Sequence, residues 1–205
     1  MNYNNWSQKI HGLAKEKGWF DGKPRSEAEI MQLVVSEICE ATEEVRNSRP
    51  AVYVNNNGVC EIGELDFVSF IKLDGTEDPM NPKKTYMKPE GEAVELADAL
   101  IRMLDYAAFK DINVNGAIQE INSVKKNQDA QTKYFQLLTE MSPLEQHYSL
   151  CHTIFSSLPL SLLIANFVLE TEALFQVRGW NLEKVVSIKH QYNTTRPYRH
   201  GGKAL

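Results

Sequence analysis

Cysteine is scarce in this chain of 205 residues. Cys39, Cys60 and Cys151 are odd in number and far apart, which excludes a disulfide framework and leaves no CxxC spacing for a thiolate metal site. They read as reduced thiols. Long apolar runs are also lacking: the longest nearly apolar stretch, Ser156 to Leu169, is too short to span a bilayer and contains Pro159. The opening residues, MNYNNWSQKI, have neither the basic start nor the apolar core of a secretory signal. These absences predict a soluble, cytoplasmic protein with no membrane partner. Positive charge is outweighed, with 22 Lys and Arg against 27 Asp and Glu and a net charge of -5. A phosphate-tracking surface normally dominates the charge of a small domain, so nucleic acid is not expected as a partner.

What is present suits one domain over residues 1–205, because 42% hydrophobic and 24% charged residues suffice for a core. From Ser26 to Asn47 the residues Ile30, Val34, Ile38, Ala41 and Val45 recur every three or four positions and share one helical face. Ser26 with Glu29 forms a capping-box pattern, and Pro50 lies just past the end. Further helices are expected over Tyr3 to Lys17, from Pro89 to about Phe109, over Ile112 to Lys126, near Thr132 to Thr139, from Pro143 to Gln176 with a break at Pro159, and over Leu182 to Thr194. Residues 47–88 read differently. Their β-branched, alternating segments and the Asn57-Gly58 turn predict a β-hairpin-like insertion in an otherwise all-α helical bundle.

The chemistry is concentrated in two of the helices. In SEICEATEEV, Glu37 and Glu40 lie one turn apart at the border of the apolar face, and in VELADALIRMLD, Glu95 and Asp98 repeat that spacing. An acid on an amphipathic helix is ordinarily solvated or paired, and Arg102, four residues after Asp98, is placed for such a pair. If the two helices meet, however, four carboxylates converge, and repulsion demands protons or cations between them. Oxygen ligands without His or Cys favour Mg²⁺, with Mn²⁺ second. A di-iron bundle would instead show Glu-x-x-His pairs, and neither string contains His.

SEICEATEEVR followed by KPEGEAVELADALIRMLD resembles the ExxE and ExxD motifs of the all-α nucleoside triphosphate pyrophosphohydrolases, the MazG-like superfamily that includes the dimeric all-α dUTPases. The terminal KHQYNTTRPYRHGGKAL is similar to the tail of a MazG-like branch. The resemblance covers residues 1–47, 88–110 and roughly 165–205. It implies Mg²⁺-dependent hydrolysis of a nucleoside triphosphate, most simply a dNTP, to the monophosphate and pyrophosphate. Glu37, Glu40, Glu95 and Asp98 would be the metal-holding, catalytic residues, and a homodimer or homotetramer is implied. Residues 41–94 make a longer connection than is common in that family.

The basic end, residues 189–205, holds four Lys or Arg and no acid. With a triphosphate nearby, Lys189, Arg196, Arg199 and Lys203 suit its phosphates as counter-charges, with Asn193 and Tyr198 as neutral donors. Trp6 and Trp19 are candidate base-stacking residues, and His11 and Asn5 candidate polar readers of the base. The alternative is a non-catalytic nucleotide or nucleic-acid binding helical module that works through the basic tail.

Overall fold

The computed structural model describes residues 1–22, 25–56, 59–61, 71–74, 83–124 and 128–199. The chain is mostly helical. Its helices are α1 (Tyr3–Glu16), α2 (Glu27–Arg46), α3 (Glu92–Phe109), α4 (Val114–Val124), α5 (Gln128–Glu140), α6 (Pro143–Ile154), α7 (Leu160–Val177) and α8 (Leu182–Thr195). Among the described residues, five short strands lie between α2 and α3: β1 (Tyr53–Asn56), β2 (Val59–Glu61), β3 (Ile71–Asp74), β4 (Lys83–Tyr86) and β5 (Pro89–Glu90). The strands form two antiparallel sheets, β2-β1-β5 and β3-β4. Asn57 and Gly58 lie outside the described residues, but the register that pairs Asn56 with Val59 leaves two positions between the strands.

Local sequence sets the helix boundaries. Ser26 and Glu29 cap α2 reciprocally, and Ser142 and Glu145 do the same for α6, so orphan amides at both N-termini are satisfied by side chains. Pro159 occupies the position just before α7 and splits the long apolar stretch into α6 and α7. One boundary differs from expectation: Pro89 and Glu90 do not begin α3 but pair with Val54 and Tyr53 as β5. Gly91 forces the break. Its φ of 116° is left-handed, and a Cβ there would strike the carbonyl oxygens of Pro50 and Ala51. The turn brings the amide of Ala93 to 3.0 Å from Ala51 O, which tethers the start of α3 to the strand segment.

α3 is the centre of the bundle, with α1, α2, α7 and α8 packed around it. Leu100, Met103 and Leu104 are fully buried, each contributing about 1.5–3 kcal/mol of apolar transfer. A helix buried on nearly every side is apolar nearly all round, and Glu92, Glu95 and Asp98 break that rule. α7 is long and apolar enough to cross a membrane by composition, but half of it is buried against other helices, as befits a core helix.

Candidate active site

α2 and α3 are the most extensively packed pair of helices, and their contact brings the predicted acids together. One carboxylate oxygen from each of Glu37, Glu95 and Asp98 lies within 4.8 Å of the other two, and all three residues are buried. Glu40, one turn along α2, is exposed and lines the same cleft outside that triplet. Helical phase accounts for the difference: Glu37 shares its face with buried Val34 three residues before and buried Ala41 four after, whereas Glu40, about 60° further round, has Glu44 as its next neighbour on that side and turns toward solvent.

Three cations balance the triplet. Lys189 on α8 is almost fully buried, with Nζ 3.2 Å from Asp98 Oδ2 and 3.5 Å from Glu95 Oε2. Lys88 approaches Glu95 at 3.8 Å. Arg102 does not pair with Asp98 as its i+4 position suggests. Its guanidinium crosses to α2 and holds Glu37 Oε1 through Nε at 2.7 Å and a second nitrogen at 2.6 Å. Two charge-assisted donors on one buried carboxylate oxygen hold more firmly than a single exposed i,i+4 contact.

These neighbours divide the carboxylates electrostatically. Burial pushes Glu37 up to about 7, with the charge of Asp98 adding to it and Arg102 opposing it. Burial also raises Glu95 against the pull of Lys189 and Lys88. At Asp98, burial is overcome by Lys189 and Arg102, so its carboxyl stays below the ordinary range. Lys189, although desolvated, is raised by Asp98 and Glu95. The donor set is all carboxylate, which fits a hard divalent cation.

The triplet opens into a cleft of about 380 Å³. Glu95, Asp98, Arg102, Asp105, Tyr106 and Phe109 of α3 line it, at steps of three and four along one helix face except for the adjacent pair Asp105 and Tyr106. One end of the cleft is therefore acidic and the other aromatic. At the aromatic end Phe109 stacks with Phe20 at 5.3 Å and 29°, and with Tyr106 at 6.2 Å and 24°. Trp19 lines the cleft beneath the guanidinium of Arg25, 5.5 Å from its ring centre. Trp6 lies outside the lining and packs edge-on against His190 at 5.7 Å. Asn5 is involved in capping α1, and His11 is buried against Asp105.

Of the phosphate-binding candidates, Lys189, Asn193 and Arg196 line the cleft. Asn193 Oδ1 is buried without a hydrogen-bond partner among the described residues. Tyr198 and Arg199 are outside the lining and clasp the connection between α1 and α2. Tyr198 Oη donates to Asp21, while Arg199 donates through its amide to Lys17 O at 3.0 Å, through Nε to Gly18 O at 3.2 Å and through its terminal nitrogen to Asp21 O at 2.5 Å. Lys17 Nζ returns the grip on Thr194 O and Arg196 O, both at 2.6 Å. Gly18 makes this possible, because a Cβ there would overlap the Tyr198 ring. Lys203 lies outside the described residues.

Phe109, Tyr106, Arg25 and Lys88 were not marked by the sequence strings. The signal for the α3 members is faint but present: through Arg102 they continue the three-four spacing of Glu95 and Asp98 by three further turns. No family model matches the chain, and no curated protein or solved structure matches it.

Proposed function

We propose that the protein is a Mg²⁺-dependent nucleoside triphosphate pyrophosphohydrolase of the all-α type, acting between the α and β phosphates of a dNTP or NTP. One observation carries the reading. Carboxylates from the ExxE and ExxD helices meet beside Lys189 at one end of a cleft whose other end is aromatic. That polarity matches a nucleotide, with phosphates and cation at the acidic end and the base at the rings.

In this proposal Glu37, Glu95 and Asp98 hold the cation. Mg²⁺ bound there, or Mn²⁺ in its place, would supply charge neutralisation and an acidified water. Glu40, exposed beside the triplet, accepts the proton of the attacking water. Lys189, Asn193 and Arg196 receive the phosphates, Lys189 exchanging carboxylate for phosphate oxygens within the same cleft. Arg102 holds Glu37 in place and offsets the crowding of negative charge. Homodimer or homotetramer formation is part of the proposal, and exposed Leu144, Tyr148, Phe155 and Leu158 offer an apolar face for it.

The alternative, a non-catalytic binding module working through the basic tail, leaves the buried carboxylates without a role. Two of its tail residues, Tyr198 and Arg199, are already engaged by the α1–α2 connection. A panel of dNTPs and NTPs with Mg²⁺, with products separated, tests the reading. Monophosphate plus pyrophosphate is expected. Diphosphate plus phosphate, or turnover unchanged when Glu95 or Asp98 is replaced by Ala, would sink it.

A further inference from the structure

The cleft holds one more acid, seven residues beyond Asp98 on the same helix. At 1.5 Å per residue, Asp105 stands about 10 Å along α3 from the cation-binding end. That separation suits the span of a nucleoside from its α-phosphorus to the far edge of its base. Asp105 is fixed from behind: its Oδ1 lies 2.7 Å from Nδ1 of buried His11, itself edge-on to Phe20 at 4.6 Å. The hydrogen bond among the described residues reaches Asp105 through Oδ1, Arg25 and Arg102 act on the carboxylate through their charge, and the side chain keeps 22% of its surface exposed where it lines the cleft.

A pre-oriented carboxylate oxygen beside a wall of aromatic faces is an acceptor waiting for a planar donor. We propose that this end of the cleft selects a nucleobase bearing an exocyclic amino group, with Asp105 as the acceptor and His11 as the positioning residue that aims it. Adenine and cytosine carry that amino group at C6 and C4, and guanine carries it at C2 beside its N1–H, so each can bring an amino N–H to such an oxygen in its own orientation. Uracil and thymine have no amino group: their one imide N3–H is flanked by two carbonyl oxygens, so an acceptor fixed opposite the amino position meets a carbonyl oxygen, and two acceptors facing each other in a desolvated site repel. The rings of Phe20, Tyr106 and Phe109 supply the stacking surface, which does not discriminate among bases. Selection therefore falls to Asp105. The inference rests on the nucleotide reading above and specifies its substrate class.

Two measurements on the full chain separate its failure from the failure of that reading. Calorimetric binding of dAMP, dCMP, dGMP, dUMP and dTMP needs no turnover, and kcat/KM for the five triphosphates with Mg²⁺ reports the working enzyme. The amino-bearing bases are expected to lead by about tenfold or more in either measurement, the worth of a hydrogen bond to a charged acceptor. Asp105→Asn, whose amide can donate to a carbonyl, should bring dUMP and dTMP to within about threefold of the others. His11→Gln should compress the ranking in the same direction while leaving the thermal transition in place. Turnover with equal use of all five bases, or a preference for uracil or thymine, overturns the inference and leaves the hydrolase reading standing. An unchanged ranking in Asp105→Asn also overturns it. Absence of both binding and turnover overturns both. Should Asp105→Asn fail to fold, the ranking of the wild-type protein alone decides.

Discussion

Glu92 and Glu95 lie one turn apart on the same helix and are both buried, yet their surroundings differ in kind. Glu92 is enclosed by directional partners: His147 Nε2 at 3.1 Å and Arg178 at 3.1 Å, with Arg178 also donating to Gln146 and His147 Nδ1 lying 3.0 Å from Thr42 Oγ1. Among the described residues, Glu95 has only looser approaches, 3.5 Å from Lys189 and 3.8 Å from Lys88, and two further carboxylates beside it. The first acid belongs to a closed network that ties α2, α3 and α6 to the end of α7. The second sits among surplus negative charge at the end of a cleft. Burial alone thus says little about role, and the directness of the partners says much.

The comparison predicts opposite failures. Replacing Glu95 or Asp98 with its amide isostere should lower kcat/KM by about a thousandfold, the order expected for several kcal/mol of lost transition-state charge stabilisation. Glu95→Gln should leave the melting temperature unchanged or raised, because burial disfavours that charge, whereas Asp98→Asn should lower it, because buried Lys189 loses its nearest carboxylate. Replacing Glu92 with Gln should do the reverse. Arg178 and His147 lose their carboxylate, folding stability drops by about 3 kcal/mol in denaturant titration, and kcat per folded molecule stays near wild type. Glu92→Gln behaving like Glu95→Gln would erase the distinction.

The sequence carried the carboxylates further than it carried their partners. Spacings of three were enough to predict that Glu37 shares a surface with Glu40 and Glu95 with Asp98, since the helical period is local information, but their convergence depended on the two helices meeting, and Glu40 falls outside the triplet that forms. That Arg102 grips Glu37 across the interface rather than Asp98 below it was not legible, because rotamer and interhelical distance decide it. The break at Pro159 was readable for the same local reason as the capping boxes. The strand pairing of Pro89 and Glu90 was not: Pro89 with acidic neighbours is an ordinary helix start until Gly91 and the Ala51 carbonyl turn the chain away. Phe109 and Asp105 were in view as residues but not as a wall, because their neighbour Phe20 comes from a segment 85 or more positions away.

Protonation sharpens the same contrast on a smaller scale. Burial and Asp98 hold Glu37 near 7, above its ordinary 4.5, so in the metal-free protein the neutral form persists to near neutrality. A cation binds the ionised form, so protons compete with it. Mg²⁺ affinity should be flat above pH 7 and fall by up to about tenfold per unit below it. Calorimetry in buffers of different ionisation enthalpy reads the proton released on binding. Glu37→Gln should cut that release to what Glu95 contributes, and Glu92→Gln should leave it unchanged.

The smallest expected effect comes from the arm. Arg199 and Tyr198 fasten the end of α8 to residues 17–21, and α8 carries Lys189 and Asn193 while residues 19 and 20 carry cleft aromatics. Loosening the clasp should therefore disturb the Glu95 side of α3 and spare the Glu92 network, whose partners lie on α2, α6 and at the end of α7. Arg199→Ala removes side-chain hydrogen bonds to the carbonyls of Gly18 and Asp21 but retains the amide bond to Lys17. At about 0.5–1.5 kcal/mol for such a bond, the loss corresponds to a rise in KM of about three- to tenfold, with kcat little changed and the melting transition within a few degrees of wild type. A direct phosphate contact by Arg199 predicts a different pattern. It would lower kcat together with kcat/KM and make the defect grow from monophosphate to triphosphate binding. Measuring binding of both nucleotides to Arg199→Ala distinguishes a strap that shapes the cleft from a hand that enters it.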